Sequence, residues 1–277
     1  MADITKELVV ELREKTGAGL IDCKRALSES GGDMEEAVSI LRKKGVATAA
    51  KKAGREAGEG VIAVSVAEGG RSGSIAEVNC ETDFVAKNEA FQAFASEVAA
   101  ALLADPQADL EERRTEQVAK IGENIRISRS ETLAPGGSCR VDSYVHTGGK
   151  VAVLLAVSAE SDAGADHEET GALVKDLCMH VAALPPVSVS REDVPEEVVA
   201  KEREVAAAQA EGKPPQAVEK IIAGKLEKYY ATSCLLEQSF VKNPDQAVKD
   251  LLAEKGRAVG ENLNIVKFIR YQVGEGS

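Results

Sequence analysis

Side chains able to do chemistry are sparse in this chain, and their spacing favours binding over catalysis. Histidine occurs three times, as His146, His167 and His180. Side-chain catalysis needs a base or nucleophile held beside an orienting partner. His167 lies in an acidic loop and reads as solvated. His180, beside Val181, reads as a partly buried packing residue. His146 stands at the tip of Tyr144-Val145-His146-Thr147-Gly148-Gly149, a turn that lifts an imidazole off a sheet edge. Pairing His146 with Asp83 is the one acid–base combination on offer, and the two fall at different corners. The chain has no nucleophile elbow, zinc signature, dinucleotide fingerprint or P-loop, and Gly17 with Gly19 is too little to cradle a phosphate. Cys23, Cys80, Cys139, Cys178 and Cys234 are odd in number and widely spaced with no C-x-x-C, so they read as small buried hydrophobes. No catalytic residue, metal or cofactor is expected.

The most informative stretch is Thr82-Asp83-Phe84-Val85. Its left side reads as a strand leaving a hairpin and its right side as the start of an amphipathic helix, which places a carboxylate and an aromatic ring at a strand-to-helix corner. Two readings are open. Phe84 folds back as a hydrophobic staple towards Ala90, Phe91 or Phe94, with Asp83 accepting from free N–H groups of the turn. Alternatively, Phe84 points outward and a partner buries it. In a chain with no Trp and 3% aromatic residues a Phe is more economically spent in the core, so an outward Phe84 calls for a partner to bury it; spacing alone favours the staple, and the rest of the chain weighs against it.

At 277 residues the length suggests about two domains, and 44% hydrophobic content is enough for real cores. A net charge of −12 argues against broad binding to nucleic acid or anionic membrane, which draws on clustered Lys and Arg. The N-terminus lacks the basic-then-apolar order of a secretory signal and no apolar run approaches a membrane span, so a cytosolic location is expected.

The periodicities that must position these residues begin with three short helices over 1–45. Asp33 has capping-box spacing and Gly45 serves as the stop. Residues 46–59 form the body of a basic stretch, Arg42 to Arg55, read either as a solvated linker or as a docking strip for an acidic surface. From Gly60 the period changes to two: Ile62, Val64 and Val66 alternate, Glu68-Gly69-Gly70 turns, and Ile75 to Cys80 returns. Asn88 then caps a helix with Phe91, Phe94 and Val98, and a charged helix ends at Ile121-Gly122 before the next strand. Over 141–277 the order strand, Gly-rich turn, strand, helix recurs, interrupted at about 190–230 by a helical hairpin and completed by a helix capped by Asn243-Pro244 and a last strand. The expected fold is α+β, with antiparallel sheets and helices in two similar subdomains, 60–140 and 141–277.

Three ordered motifs now acquire a joint meaning: Thr16-Gly17-Ala18-Gly19-Leu20-Ile21-Asp22-Cys23-Lys24, Val78-Asn79-Cys80-Glu81-Thr82-Asp83-Phe84-Val85-Ala86-Lys87, and Ile121-Gly122-Glu123-Asn124. Together with Tyr144-x-His146, Met179-His180-Val181-Ala182-Ala183 and Val273-Gly274-Glu275-Gly276, they make the chain resemble the bacterial translation elongation factor Ts family from Met1 to Gly276. The resemblance implies a guanine-nucleotide exchange factor that binds the GTPase elongation factor Tu in its GDP-bound and nucleotide-free forms, without direct contact to nucleic acid. It implies a ubiquitin-associated-like N-terminal module and a coiled-coil arm made by the helical hairpin. By motif, Asp83 and Phe84, flanked by Thr82 and Val85, match the pair that enters the GTPase domain near the magnesium and phosphate-binding elements. Ile121 and Gly122 match positions at the same interface, and His146 matches a contact residue of the second subdomain. Longer members continue past Val-Gly-Glu-Gly with a helical module; this sequence ends at Ser277, so that module's contacts are not expected of it. A rival reading is an adaptor whose three-helix module does the binding, with Phe84 dispensable.

Overall fold

A computed structural model describes residues 4–210 and 212–275. The first residues of the 1–45 module, Glu211, the Gly276 end of the resemblance and Ser277 lie outside them. Helix α1 (Lys6–Thr16) starts at Thr5, whose Oγ1 accepts from the Leu8 N–H at 3.3 Å, and stops at Gly17, where φ is 67°. Helix α2 spans Leu20–Glu29, and α3 (Met34–Lys52) begins at Asp33, whose carboxylate accepts from the Glu36 N–H at 2.8 Å. Leu12, Cys23, Leu27 and Ala37 form the small core these helices share.

The expected stop at Gly45 is overturned, and the stretch after it is helical as far as Lys52, leaving only 53–58 as connection to the first strand. Helix α3 runs through Gly45 to Lys52 because tertiary packing overrides glycine's weak helix propensity. Gly45 is buried, and a Cβ there would sit 3.4 Å from that of Ala119, so its missing side chain lets two helices approach closely. The basic strip does find an acidic surface, inside the same chain: Arg42 pairs with Glu112, Lys44 with Asp22 and Arg55 with Glu81.

The first core half contains β1 (Glu59–Val66), β2 (Gly73–Cys80), α4 (Asp83–Ala86), α5 (Glu89–Ala104), α6 (Glu111–Ile121) and β3 (Arg126–Leu133), with sheet order β1-β2-β3. The second contains β4 (Cys139–Val145), β5 (Val151–Ser158), α7 (Asp162–Asp166) and α8 (Glu168–Ala183). It continues through the arm helices α9 (Glu196–Ala208) and α10 (Pro215–Ser233) to a short ribbon of β6 (Ser239–Phe240) and β7 (Asn243–Ala247). Helix α11 (Val248–Val259) and β8 (Asn264–Gln272) close it, with sheet order β4-β5-β8. The expected Asn243-Pro244 helix cap is corrected: both residues lie in β7, a short edge ribbon that tolerates a residue without an N–H, and the helix begins after Ala247.

The two sheets face each other across Ile62, Ile75, Val141, Leu154 and Ile269, while helices cover their outer faces over two further cores. The halves correspond in detail. The Ile62 N–H donates to the Gly149 carbonyl at 2.7 Å and the Val141 N–H to the Gly70 carbonyl at 2.6 Å, so each hairpin's glycine turn is bound to the other hairpin's first strand. Register slips by one residue between Glu77 and Val78 in one sheet and between Ala156 and Val157 in the other. At the root of the arm Arg191 bonds the carboxylates of Glu227 and Glu237 and lies over the Tyr230 ring, 4.6 Å from its centroid.

Candidate interaction site

Strand β2 is buried along its whole length and ends at Cys80, so the next residues must leave the core abruptly. Thr82 is extended, and its Oγ1 accepts from the Val85 N–H at 3.3 Å, starting the single turn α4. Asn88 then opens α5 by accepting from Ala90 and Phe91 at 2.9 and 3.4 Å. Between these caps Ala86 is buried and Val85 packs on the first-half core, which sends Phe84 the other way. Phe84 is 81% exposed, whereas Phe91, Phe94 and Phe240 are buried and Phe268 is half-buried. The staple reading is therefore excluded: Phe91 and Phe94 belong to the core, and Phe84 points away from it. Thr82, not Asp83, supplies the side-chain cap. The Asp83 carboxylate instead accepts from Lys87 Nζ at 2.7 Å, and that hydrogen bond holds it below the usual carboxylate range.

The loop after α6 fastens this corner from behind. Glu123 Oε2 accepts from the N–H groups of Glu81 and Thr82, both at 3.0 Å, and Oε1 accepts from the Thr82 hydroxyl at 2.7 Å. In return Glu81 Oε1 accepts from the Asn124 N–H at 2.6 Å, a bond that holds the Glu81 carboxyl below its ordinary range. Gly122 ends α6 with φ 84°, a conformation that favours glycine, and its carbonyl accepts from Lys52. Ile121, half-buried, packs on the first-half core. The Cys80 thiol donates to the Thr82 carbonyl at 3.2 Å, and burial pushes its pKa up to about 12, so it supports the corner rather than reacting.

Thr82, Asp83, Phe84, Val85, Ile121 and Gly122 thus converge on one corner through Glu81 and Glu123. His146 belongs to a neighbouring feature. It is exposed on the β4–β5 turn, with Nδ1 3.1 Å from the Tyr144 hydroxyl. That turn reaches the same end of the molecule, since Lys150 bonds Glu59 at 2.5 Å and Glu59 is the register partner of Cys80. Asp83 is engaged with Lys87 and His146 with Tyr144, so no shared proton-transfer geometry is built from them. His180 proves wholly buried: its Nε2 lies 2.9 Å from Gln238 Oε1, and its Nδ1 accepts from the Val241 N–H at 3.1 Å.

Sequence reading missed two features. Leu20 and Ile21, opening α2, are 48% and 76% exposed, a second apolar projection whose signal was two large hydrophobes directly after Gly17-Ala18-Gly19. Glu81 and Glu123 were passed over because only folding brings them together. Among the described residues no helix is long and apolar enough to cross a membrane, and no acidic, His or Cys group could hold a metal ion.

An exposed, partly apolar corner fastened by its own chain has the form of an interaction surface, and comparison with known proteins gives the chain's family. The family described as Elongation factor TS matches residues 81–275. Elongation factor Ts of Clostridioides difficile strain 630 is 46% identical, covering 100% of this chain and 94% of the relative. That of Clostridium perfringens strain SM101 is 45% identical over 99% and 94%, and that of Symbiobacterium thermophilum 44% over 100% and 94%. The chain belongs to the elongation factor Ts family.

Proposed function

We propose that this protein is a guanine-nucleotide exchange factor for the GTPase elongation factor Tu, acting in translation elongation by placing Asp83 and Phe84 near the partner's magnesium and phosphate-binding elements. The observation that carries the reading is the exposure of Phe84, 81%, on a corner capped and fastened by its own chain. An exchange factor works by coupling: tighter binding to the nucleotide-free than to the nucleotide-bound GTPase weakens nucleotide binding by the same factor. Burying one Phe contributes about 1.5–3 kcal/mol, and it produces coupling if its pocket opens only when the GTPase has left its magnesium-competent arrangement. Asp83, already half exposed, exchanges Lys87 for donors of the partner. Ile121 and Gly122 extend the same contact, His146 serves the second subdomain, and Leu20 with Ile21 gives the three-helix module an apolar anchor.

The test is release of a fluorescent GDP analogue from elongation factor Tu on mixing with this protein. Fast release is expected, with Phe84→Ala folded but weakened by about 2–4 kcal/mol, as for a hot-spot truncation. Near-normal release by the folded variant would remove Phe84 from the mechanism. Loss of activity on deleting the three-helix module, with Phe84 dispensable, would favour an adaptor.

A further inference from the structure

The corner bearing Phe84 is one helical turn long, too short to hold a fixed direction by its own hydrogen bonds. Its backbone is held instead by a carboxylate from a distant loop. Glu123 takes both N–H groups at the end of β2 and the hydroxyl that caps the turn, while Glu81 reaches back to the N–H of Asn124. These are charge-assisted bonds, about twice as strong as neutral ones. They cross between the two segments, so neither can rotate without breaking the other's anchor. Arg55, 3.3 Å from Glu81, offsets the proximity of two like charges.

The second half contains the same fastening without the ring. Glu261 Oε2 accepts from the N–H groups of Glu160 and Ser161 at 3.0 Å, and Oε1 accepts from the Ser161 hydroxyl; Glu160 reaches back to Asn262. Ser161 caps the turn α7 as Thr82 caps α4, and where Phe84 stands in the first half the second has exposed Ala163. The fastening is therefore a device of the fold that only one half uses to present an aromatic side chain.

We infer that Glu123 is a positioning residue for nucleotide exchange, setting the direction of Phe84 before the partner is met; this rests on the exchange reading above. Ordering the corner in advance removes the conformational cost of ordering it on binding. A loose corner slows the step in which the ring enters its pocket, while docking through other surfaces persists.

The experiment follows GDP-analogue release from elongation factor Tu against factor concentration for the wild type, Glu123→Ala, Phe84→Ala, their double variant and Glu261→Ala, each checked for folding. Glu123→Ala should lower the maximal release rate on the order of tenfold with little change in half-saturating concentration. It should add nothing to Phe84→Ala, because a wedge without its ring has no direction to lose. Glu261→Ala removes the equivalent bonds where no ring depends on them and should exchange like wild type. If Glu123→Ala does not fold, Glu123→Gln carries the same comparison at smaller amplitude. Additive effects of Glu123 and Phe84 substitutions, equal losses from Glu123 and Glu261 substitutions, or no loss from either would overturn the inference while leaving exchange intact. Absence of release by the wild type would overturn the exchange reading itself.

Discussion

Phe84 and His180 show opposite ways in which one side chain departs from its sequence reading. Phe84 had two destinations, of which spacing alone favoured the staple, and the decision against it came from Ala86, Phe91 and Phe94, which fill the core and leave the ring no place in it. His180 was read as partly buried and is wholly buried, accepting from the Val241 N–H and bonded to Gln238, which in turn donates to the Thr232 carbonyl at 2.6 Å. Burial is the main cause that lowers its pKa from the ordinary 6.5. The unfolded chain then binds more protons than the folded one below that value, so the stability contributed is complete above pH 6.5 and is lost as pH falls towards the folded pKa. Urea unfolding between about pH 7.5 and about pH 5.5 should show this decline, reduced in His180→Gln, which carries no titrating group. An equal slope in wild type and variant would assign the decline to other groups.

At the scale of elements, some caps were readable and helix length was not. Asn88 and the αL glycines Gly17 and Gly122 act locally, within one turn of the backbone they terminate, whereas the caps read at Asp83 and Asn243-Pro244 belong to Thr82 and Ala247. Gly45 carries the same stop signal in isolation, yet α3 continues past it because α6, remote in sequence, packs against the gap its missing Cβ leaves. Gly45→Leu should thus destabilise by about 1–3 kcal/mol through overpacking, although leucine is the better helix former by nearly 1 kcal/mol. Urea unfolding measures the balance. A stabilised variant would mean that α3 and α6 are not closely packed.

The whole molecule is joined by a polar seam between its sheets. Glu77, 2% exposed in β2, accepts from Arg129 at 2.7 Å, Asn79 at 3.1 Å and the Gly274 N–H at 2.8 Å. Arg129 donates to the Gln272 carbonyl at 2.9 Å and lies over the Tyr271 ring, so one ion pair reaches from the first sheet to the end of β8 in the second. Arg129→Ala leaves Glu77 buried without its cation, which should cost about 3 kcal/mol, the low end for a buried pair, because Arg129 retains 26% exposure. Hydrogen exchange should then quicken together in β2 and β8. Faster exchange confined to one sheet would show that the seam does not couple them.

The amino-acid sequence by itself determined the α+β class, the repeated hairpin-and-helix order, the arm, and the location of the Thr82-Asp83-Phe84-Val85 corner, because period, glycine turns and caps act over a few residues. Motif order alone carried the family resemblance. Tertiary structure alone decided that Phe84 faces outward, that the basic stretch as far as Lys52 is helix packed on helix, and that Glu81 and Glu123 cross between segments far apart in sequence. The physical reason is common to all three: each depends on which surface of another element occupies the neighbouring space, and that is settled only when the cores pack.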